Sequence, residues 1–125
     1  MESETILLVE DEGSLRSVMK LFLEYSGYSV IDADNGVDAL YLSSNHPGPI
    51  RLLLTDVEMS PMSGPELAEQ MLLFRPETQV LFMSGNRQPD DLRNDMCLLN
   101  AQFLEKPFNP KTLQHTVQQV LGTFP

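Results

Sequence analysis

Glu10, Asp11, Asp56, Ser84 and Lys106 have the types and positions to act together on a charged group. Asp56 follows Leu52-Leu53-Leu54-Thr55 and precedes a loop-forming run from Ser60 to Gly64. A continuous leucine run does not alternate, so it reads as a strand buried on both faces. Asp56 therefore stands where that strand stops. Glu10-Asp11-Glu12 follow a second all-apolar run, Ile6 to Val9. Ser84-Gly85 closes a strand expected over Gln79 to Met83, and Glu105-Lys106-Pro107 closes one over Ala101 to Leu104. Ligand sites in open parallel sheets form outside the carboxyl ends of the strands. Residues distant in the chain would thus meet in one crevice.

Carboxylates gathered this way repel. Two unit charges 4 Å apart cost roughly 4 kcal/mol at an effective dielectric of 20. Either a proton stays on or a cation is recruited. Hard oxygen ligands in an incomplete protein cage suit Mg²⁺. Lys106 adds a fixed positive charge beside Asp56, and Ser84 a hydroxyl that can donate to an anion. The set describes phosphoryl transfer onto Asp56, with the carboxylate as nucleophile and the cations neutralising the moving oxygens. An ionised aspartate needs no general base. His46 and His115 fall at no strand end and read as surface residues. Taken singly, Asp56 could be a helix cap, Ser84 a loop cap and Lys106-Pro107 a turn. The joint order of the strand ends argues for a site.

The elements that must position these residues are legible in order. A helix after Glu12 carries Leu15, Val18, Met19, Phe22 and Leu23 on one face and ends at Gly27. Tyr28 to Ala33 is a short strand. Asn35 caps a helix with Val37, Leu40 and Tyr41, which Pro47-Gly48-Pro49 stops. The central strand runs from about Ile50 to Thr55. Ser63 and Glu66 form a capping box for a helix turning Leu67, Met71, Leu72 and Phe74 inward. Leu92, Met96 and Leu99 mark a weakly signalled helix after Pro89. Asn109-Pro110 starts a last helix with Leu113, Val117, Val120 and Leu121 on its apolar face. Five strands alternating with five helices imply a doubly wound parallel α/β sheet with right-handed crossovers.

The 125 residues suit a single domain, 1–125, with a sizeable core. Lys and Arg number 8 against 18 Asp and Glu, a net charge of -10, which argues against nucleic acid and anionic membranes. Cys97 is the single cysteine, so no internal disulfide forms and a reducing cytoplasm is the expected setting. The start of the chain is polar and acidic, unlike a signal peptide, and no stretch reaches membrane-spanning length.

Over its whole length the chain resembles the receiver domain of two-component response regulators. The matching pieces are Leu8-Val9-Glu10-Asp11-Glu12, Thr55-Asp56-Val57-Glu58-Met59, Met62-Ser63-Gly64, Met83-Ser84-Gly85 and Lys106-Pro107-Phe108. The resemblance implies a flavodoxin-like sheet of order 2-1-3-4-5 and a cis Lys106–Pro107 bond. It implies Asp56 as phosphoacceptor, with Mg²⁺ bound directly by Asp11 and Asp56, through water by Glu10, and by the backbone carbonyl of Glu58. Lys106 and Ser84 would contact the phosphoryl group. Phe103 matches the switch aromatic, and Glu58 and Asn86 the two positions that tune phosphate lifetime. The implied partner is a sensor histidine kinase, or a kinase core in the same chain. Further options are a histidine phosphotransfer protein and a homodimer through the fourth helix, fifth strand and fifth helix.

Leu-Phe-Met-Ser-Gly and Ser-Gly-Pro-Glu-Leu-Ala-Glu are most similar to receivers attached to hybrid sensor histidine kinases. The chain departs from the family at Met59-Ser60-Pro61, where the proline stands one place late, and at Gly85, where alanine is common. Two rival readings are a receiver-like interaction module that is never phosphorylated, and a Mg²⁺-dependent aspartyl-phosphate phosphatase. The phosphatase class places an aspartate two residues after the nucleophile, where this chain has Glu58.

Overall fold

A computed structural model describes residues 3–85 and 101–122. Its five strands are β1 (Thr5–Val9), β2 (Ser29–Ala33), β3 (Leu52–Asp56), β4 (Gln79–Ser84) and β5 (Gln102–Glu105). Four helices lie among the described residues: α1 (Gly13–Tyr25), α2 (Gly36–Asn45), α3 (Gly64–Leu72) and α4 (Pro110–Leu121). The helix expected around Leu92, Met96 and Leu99 lies outside the described residues, as does Asn86. Hence the expected five helices become four here, and α4 is the one read from the sequence as the last.

All strands are parallel, in the order β2-β1-β3-β4-β5. Central β3 explains its own sequence. Leu52 and Leu54 enter one core, with Ile6, Leu8, Leu81 and Met83 from the neighbouring strands and Met19, Leu23, Leu113 and Val117 from α1 and α4. Leu53 enters the other, with Leu7, Val9, Val80 and Phe82 and with Ala39, Leu67, Ala68 and Met71 from α2 and α3. A strand covered by helices on both faces has no polar side to show. Each strand pair is held in register, so Val9, Thr55, Phe82 and Phe103 form one row near the carboxyl edge.

The local signals that end the elements are realised. Gly27 adopts φ 103°, and the Gly27 and Tyr28 N–H groups donate to the carbonyls of Glu24 and Leu23, closing α1 as a left-handed cap. Asn35 Oδ1 accepts from the Asp38 N–H at 2.8 Å, and Asn109 Oδ1 from the Thr112 N–H at 2.8 Å. Ser63 and Glu66 cap each other's backbone reciprocally at 3.2 and 3.1 Å.

The helix faces differ from expectation. Val18 and Phe22 are 48% and 41% exposed, because α1 meets the sheet along the narrow Met19–Leu23 line with Leu15 at its edge. On α2, Val37 and Tyr41 point outward, while the small Gly36, Ala39 and Ser43 are buried against its neighbours. Phe74 lies beyond the end of α3 and is half exposed. Arg75 takes the chain inward there: its guanidinium donates to the carbonyls of Ser43, His46 and Gly48 at 2.8–3.0 Å and ties α3's exit to the end of α2.

Candidate functional site

The carboxyl edge of the sheet gathers the chemistry. Glu10 leaves β1 and is 1% exposed; Asp56 ends β3 at 5% and Ser84 ends β4 at 6%. Asp11 is exposed on the loop into α1. Lys106 follows β5, held by its N–H donating to the Ser84 carbonyl at 2.8 Å. The Lys106–Pro107 bond is cis, as the resemblance implies, and so is Ser60–Pro61. Asp11, Asp56, Glu58, Met83, Ser84, Gly85 and Lys106 line a cleft of about 150 Å³.

Lys106 Nζ sits between two carboxylates. It lies 2.6 Å from Asp56 Oδ1 and donates to Glu10 Oε1 at 2.7 Å. Glu10's other oxygen accepts from the Glu12 N–H at 3.1 Å. Both Glu10 oxygens are thus engaged by protein groups. Asp56 Oδ2 is buried and accepts from no donor among the described residues. An unpartnered carboxylate oxygen out of water costs more than a lost hydrogen bond.

The titration of the three groups follows from this packing. Burial pushes the Asp56 carboxyl up, the neighbouring Glu10 carboxyl pushes it further, and the Lys106 ammonium offsets only part; the result is about 7. Glu10 is also pushed up by burial, but contacts from Asp56, Lys106 and the Glu12 N–H outweigh that and hold it below its ordinary value. Lys106 is raised: burial pulls it down, but its two carboxylate partners outweigh that. With both acids ionised no hydrogen bond joins them, and Asp56 Oδ2 stays bare; a shared proton or a cation would satisfy it.

Carboxylate oxygens of Glu10, Asp11 and Asp56 lie within 4.8 Å of one another. At that separation two full charges repel by about 3 kcal/mol at an effective dielectric of 20. A hard divalent cation fits this donor set on two grounds: an all-oxygen anionic cluster, and a buried oxygen of Asp56, a member of that cluster, without a partner among the described residues. Since Glu10 is already engaged by Lys106 and the Glu12 N–H, its contribution to a cation would be indirect.

The structure brings together Glu10, Asp11, Asp56, Glu58, Ser84 and Lys106. Phe103 lies apart, half-buried on β5 beside Phe82 and packed on the α2–α3 side of the sheet. Two features escape sequence reading. Gly64 opens α3 so close to β3 that its N–H donates to the Val57 carbonyl at 2.9 Å, and an added Cβ would stand 2.1 Å from the Asp56 carbonyl oxygen. The signal was a glycine directly after a cap, where any good helix former would otherwise serve. The second is Arg16, whose contact with Glu10 has no local signature at all.

Comparison with known proteins agrees with this geometry. A sequence model described as the response regulator receiver domain matches residues 6–118. The chain is 35% identical over 119 residues to the sensor kinase CckA of Brucella abortus, covering 95% of this chain and 13% of that protein. It is 33% identical over 116 residues to the response regulator receiver protein CpdR of the same organism, covering 93% of this chain and 95% of CpdR. Among solved structures, the chemotaxis protein CheY4 of Vibrio cholerae superposes with a TM-score of 0.86 at 28% identity, covering 96% of this chain and all of that one.

Proposed function

The chain belongs to the response regulator receiver domain family, and on that basis we propose that it is a phosphorylation-controlled switch that accepts a phosphoryl group on Asp56. One observation carries the reading. Asp56 ends the central strand with one oxygen on Lys106 and the other buried and bare beside Glu10 and Asp11. A carboxylate held only as a structural cap would have its oxygens satisfied by protein donors.

Asp11 and Asp56 would hold Mg²⁺ directly, with Glu10 behind them and the Glu58 backbone carbonyl completing the protein's share. When bound, Mg²⁺ supplies positive charge against the oxygens of the incoming phosphoryl group. Asp56 attacks phosphorus in line; the new O–P bond forms as the N–P bond of a donor phosphohistidine breaks, and the imidazole leaves with the electron pair. Lys106 moves its contact from the carboxylate to a phosphoryl oxygen, and the Ser84 hydroxyl donates to another. The modification adds about -1.5 to -2 charges. Ser84 and its loop are drawn toward that charge, and Phe103 rotates into the space they vacate. Reversing a 1:99 equilibrium takes roughly 5.5 kcal/mol, which is within reach of several charge-assisted contacts acting together.

The partner in this reading is a sensor histidine kinase, in the cytoplasm, either separate or in the same chain. Similarity to CckA over 13% of that kinase's length is compatible with the latter. The chain catalyses only its own phosphorylation and dephosphorylation. Among the described residues no helix is long and apolar enough to cross a membrane.

Acetyl phosphate labelling followed by intact mass tests the reading. One phosphate per chain is expected with Mg²⁺, and none with chelator or in Asp56→Asn. Turnover of the donor without stable addition would favour a phosphatase, and no reaction by the folded chain an interaction module.

A further inference from the structure

We infer that Arg16 is a positioning residue for the acidic cluster, acting through the main chain of Glu10. Its Nη1 donates to the Glu10 carbonyl at 2.8 Å, while Nε donates to Asp32 Oδ2 at 3.1 Å. The side chain is only 22% exposed, so this fork lies in the structure's interior edge between α1 and β2. Lys20 adds a second contact to Asp32, at 3.3 Å to Oδ1, without touching Glu10.

The Glu10 peptide is consequently clamped at every polar atom. Its N–H donates to the Ala33 carbonyl at 3.1 Å, its carbonyl accepts from Arg16, and its carboxylate takes Lys106 and the Glu12 N–H. Asp32 and Ala33 are adjacent on β2, so both the N–H and, through Arg16, the carbonyl of Glu10 are referred to the same short piece of edge strand. The residue that leaves this clamp is Asp11, exposed on the two-residue link between Glu10 and the start of α1. Arg16 also sits one turn into that helix, and its N–H donates to the Glu12 carbonyl at 2.9 Å. It therefore grips the link from both sides. Guanidinium geometry suits this double role, since a planar fork can serve a carbonyl and a carboxylate at once, whereas an ammonium is a single point of charge.

The positioning role rests on the reading that the cluster binds a divalent cation, and it makes a prediction of opposite sign to simple charge. Arg16 is a cation near the acids, so removing it for electrostatic reasons alone would strengthen Mg²⁺ binding. Removing a group that orients the ligands weakens it, commonly by about 10- to 100-fold.

The experiment is Mg²⁺ titration by calorimetry, with amide shifts of Glu10 and Asp11 followed by NMR, on the parent, Arg16→Gln, Arg16→Lys, Asp32→Asn and Lys20→Gln. Thermal melts establish that each is folded. The expected result is at least a tenfold rise in the Mg²⁺ dissociation constant for Arg16→Gln, a rise in the same direction for Asp32→Asn, an intermediate value for Arg16→Lys and little change for Lys20→Gln. If Arg16→Gln does not fold, Arg16→Lys carries the test, because it keeps the charge while giving up the fork that holds the Glu10 carbonyl and Asp32 together. Mg²⁺ binding in the variants as tight as or tighter than in the parent would overturn the positioning role alone. A parent that binds no Mg²⁺ would overturn both this role and the phosphoacceptor reading.

Discussion

Replacing Gly64 by alanine should damage both the fold and the site, although alanine is the better helix former. A Cβ built on Gly64 stands 2.1 Å from the Asp56 carbonyl oxygen, 3.0 Å from its carbon and 3.1 Å from Val57 Cα. These are backbone atoms of β3's end and cannot swing away as a side chain could. Normal contact between such atoms is about 3.5 Å, so the helix start and the strand end must separate by about 1.4 Å. Overpacking of this kind costs about 1–3 kcal/mol, and the propensity gain of alanine recovers at most about 1. The net loss of about 1–2 kcal/mol lowers the melting temperature by roughly 3–10 °C for a domain of this size. The displacement falls on the Asp56 carbonyl and the loop bearing Glu58, and a shift of about 1 Å at a reacting group can slow chemistry 100-fold. Gly85→Ala is the matched control for stability, since among the described residues its Cβ would meet only Lys106 Cβ, at 4.0 Å. The melting temperature and the rate of labelling by acetyl phosphate should both fall for Gly64→Ala, while the melting temperature should hold for Gly85→Ala. A Gly64→Ala protein that melts and reacts like the parent would show that the helix start and strand end are not locked together.

Three further outcomes follow from the same geometry. Without Mg²⁺, Asp56→Asn should be more stable than the parent at pH 8 by about 1–3 kcal/mol, the scale of an unsatisfied buried group. The Asp56 value of about 7 lies above its unfolded one, so the parent loses stability as pH rises through 7, and denaturant titrations with chelator should show the gap shrinking toward pH 5. Glu58→Gln should change Mg²⁺ affinity or the dephosphorylation rate, since Glu58 lines the cleft beside Asp11 and Asp56; unchanged values for both would remove it from the site's chemistry. Phosphorylation, or a stable mimic of it, should change the Phe103 rotamer seen by NMR, and an unaltered ring would sink the aromatic part of the switch.

Much of this architecture is written locally. β3 is a leucine run because both faces are covered, and the caps at Asn35, Ser63 and Asn109 need only their own next three residues. The acids and Lys106 were legible because strand ends are marked by an abrupt change from apolar to charged residues. Helix rotation was not. Val18, Phe22, Val37 and Tyr41 fit an apolar stripe by spacing, yet the buried lines run through Met19–Leu23 and Gly36–Ala39–Ser43, since small residues allow close approach and large ones beside them are left outside. Arg16 was illegible for another reason: its partners are a main-chain carbonyl and an aspartate 16 positions on, and neither pairing leaves a periodic trace. The close approach at Gly64 likewise depends on where α3 meets β3 in space.

The function proposed for this chain stands or falls on an acyl phosphate forming at Asp56. Borohydride reduction of the protein after reaction with acetyl phosphate and Mg²⁺ converts an aspartyl phosphate to homoserine, which peptide mass mapping locates. Homoserine is expected at position 56 alone, and none when Mg²⁺ is withheld. Homoserine at another acid, or an unmodified chain under conditions where it is folded and binds Mg²⁺, would contradict the phosphoacceptor reading.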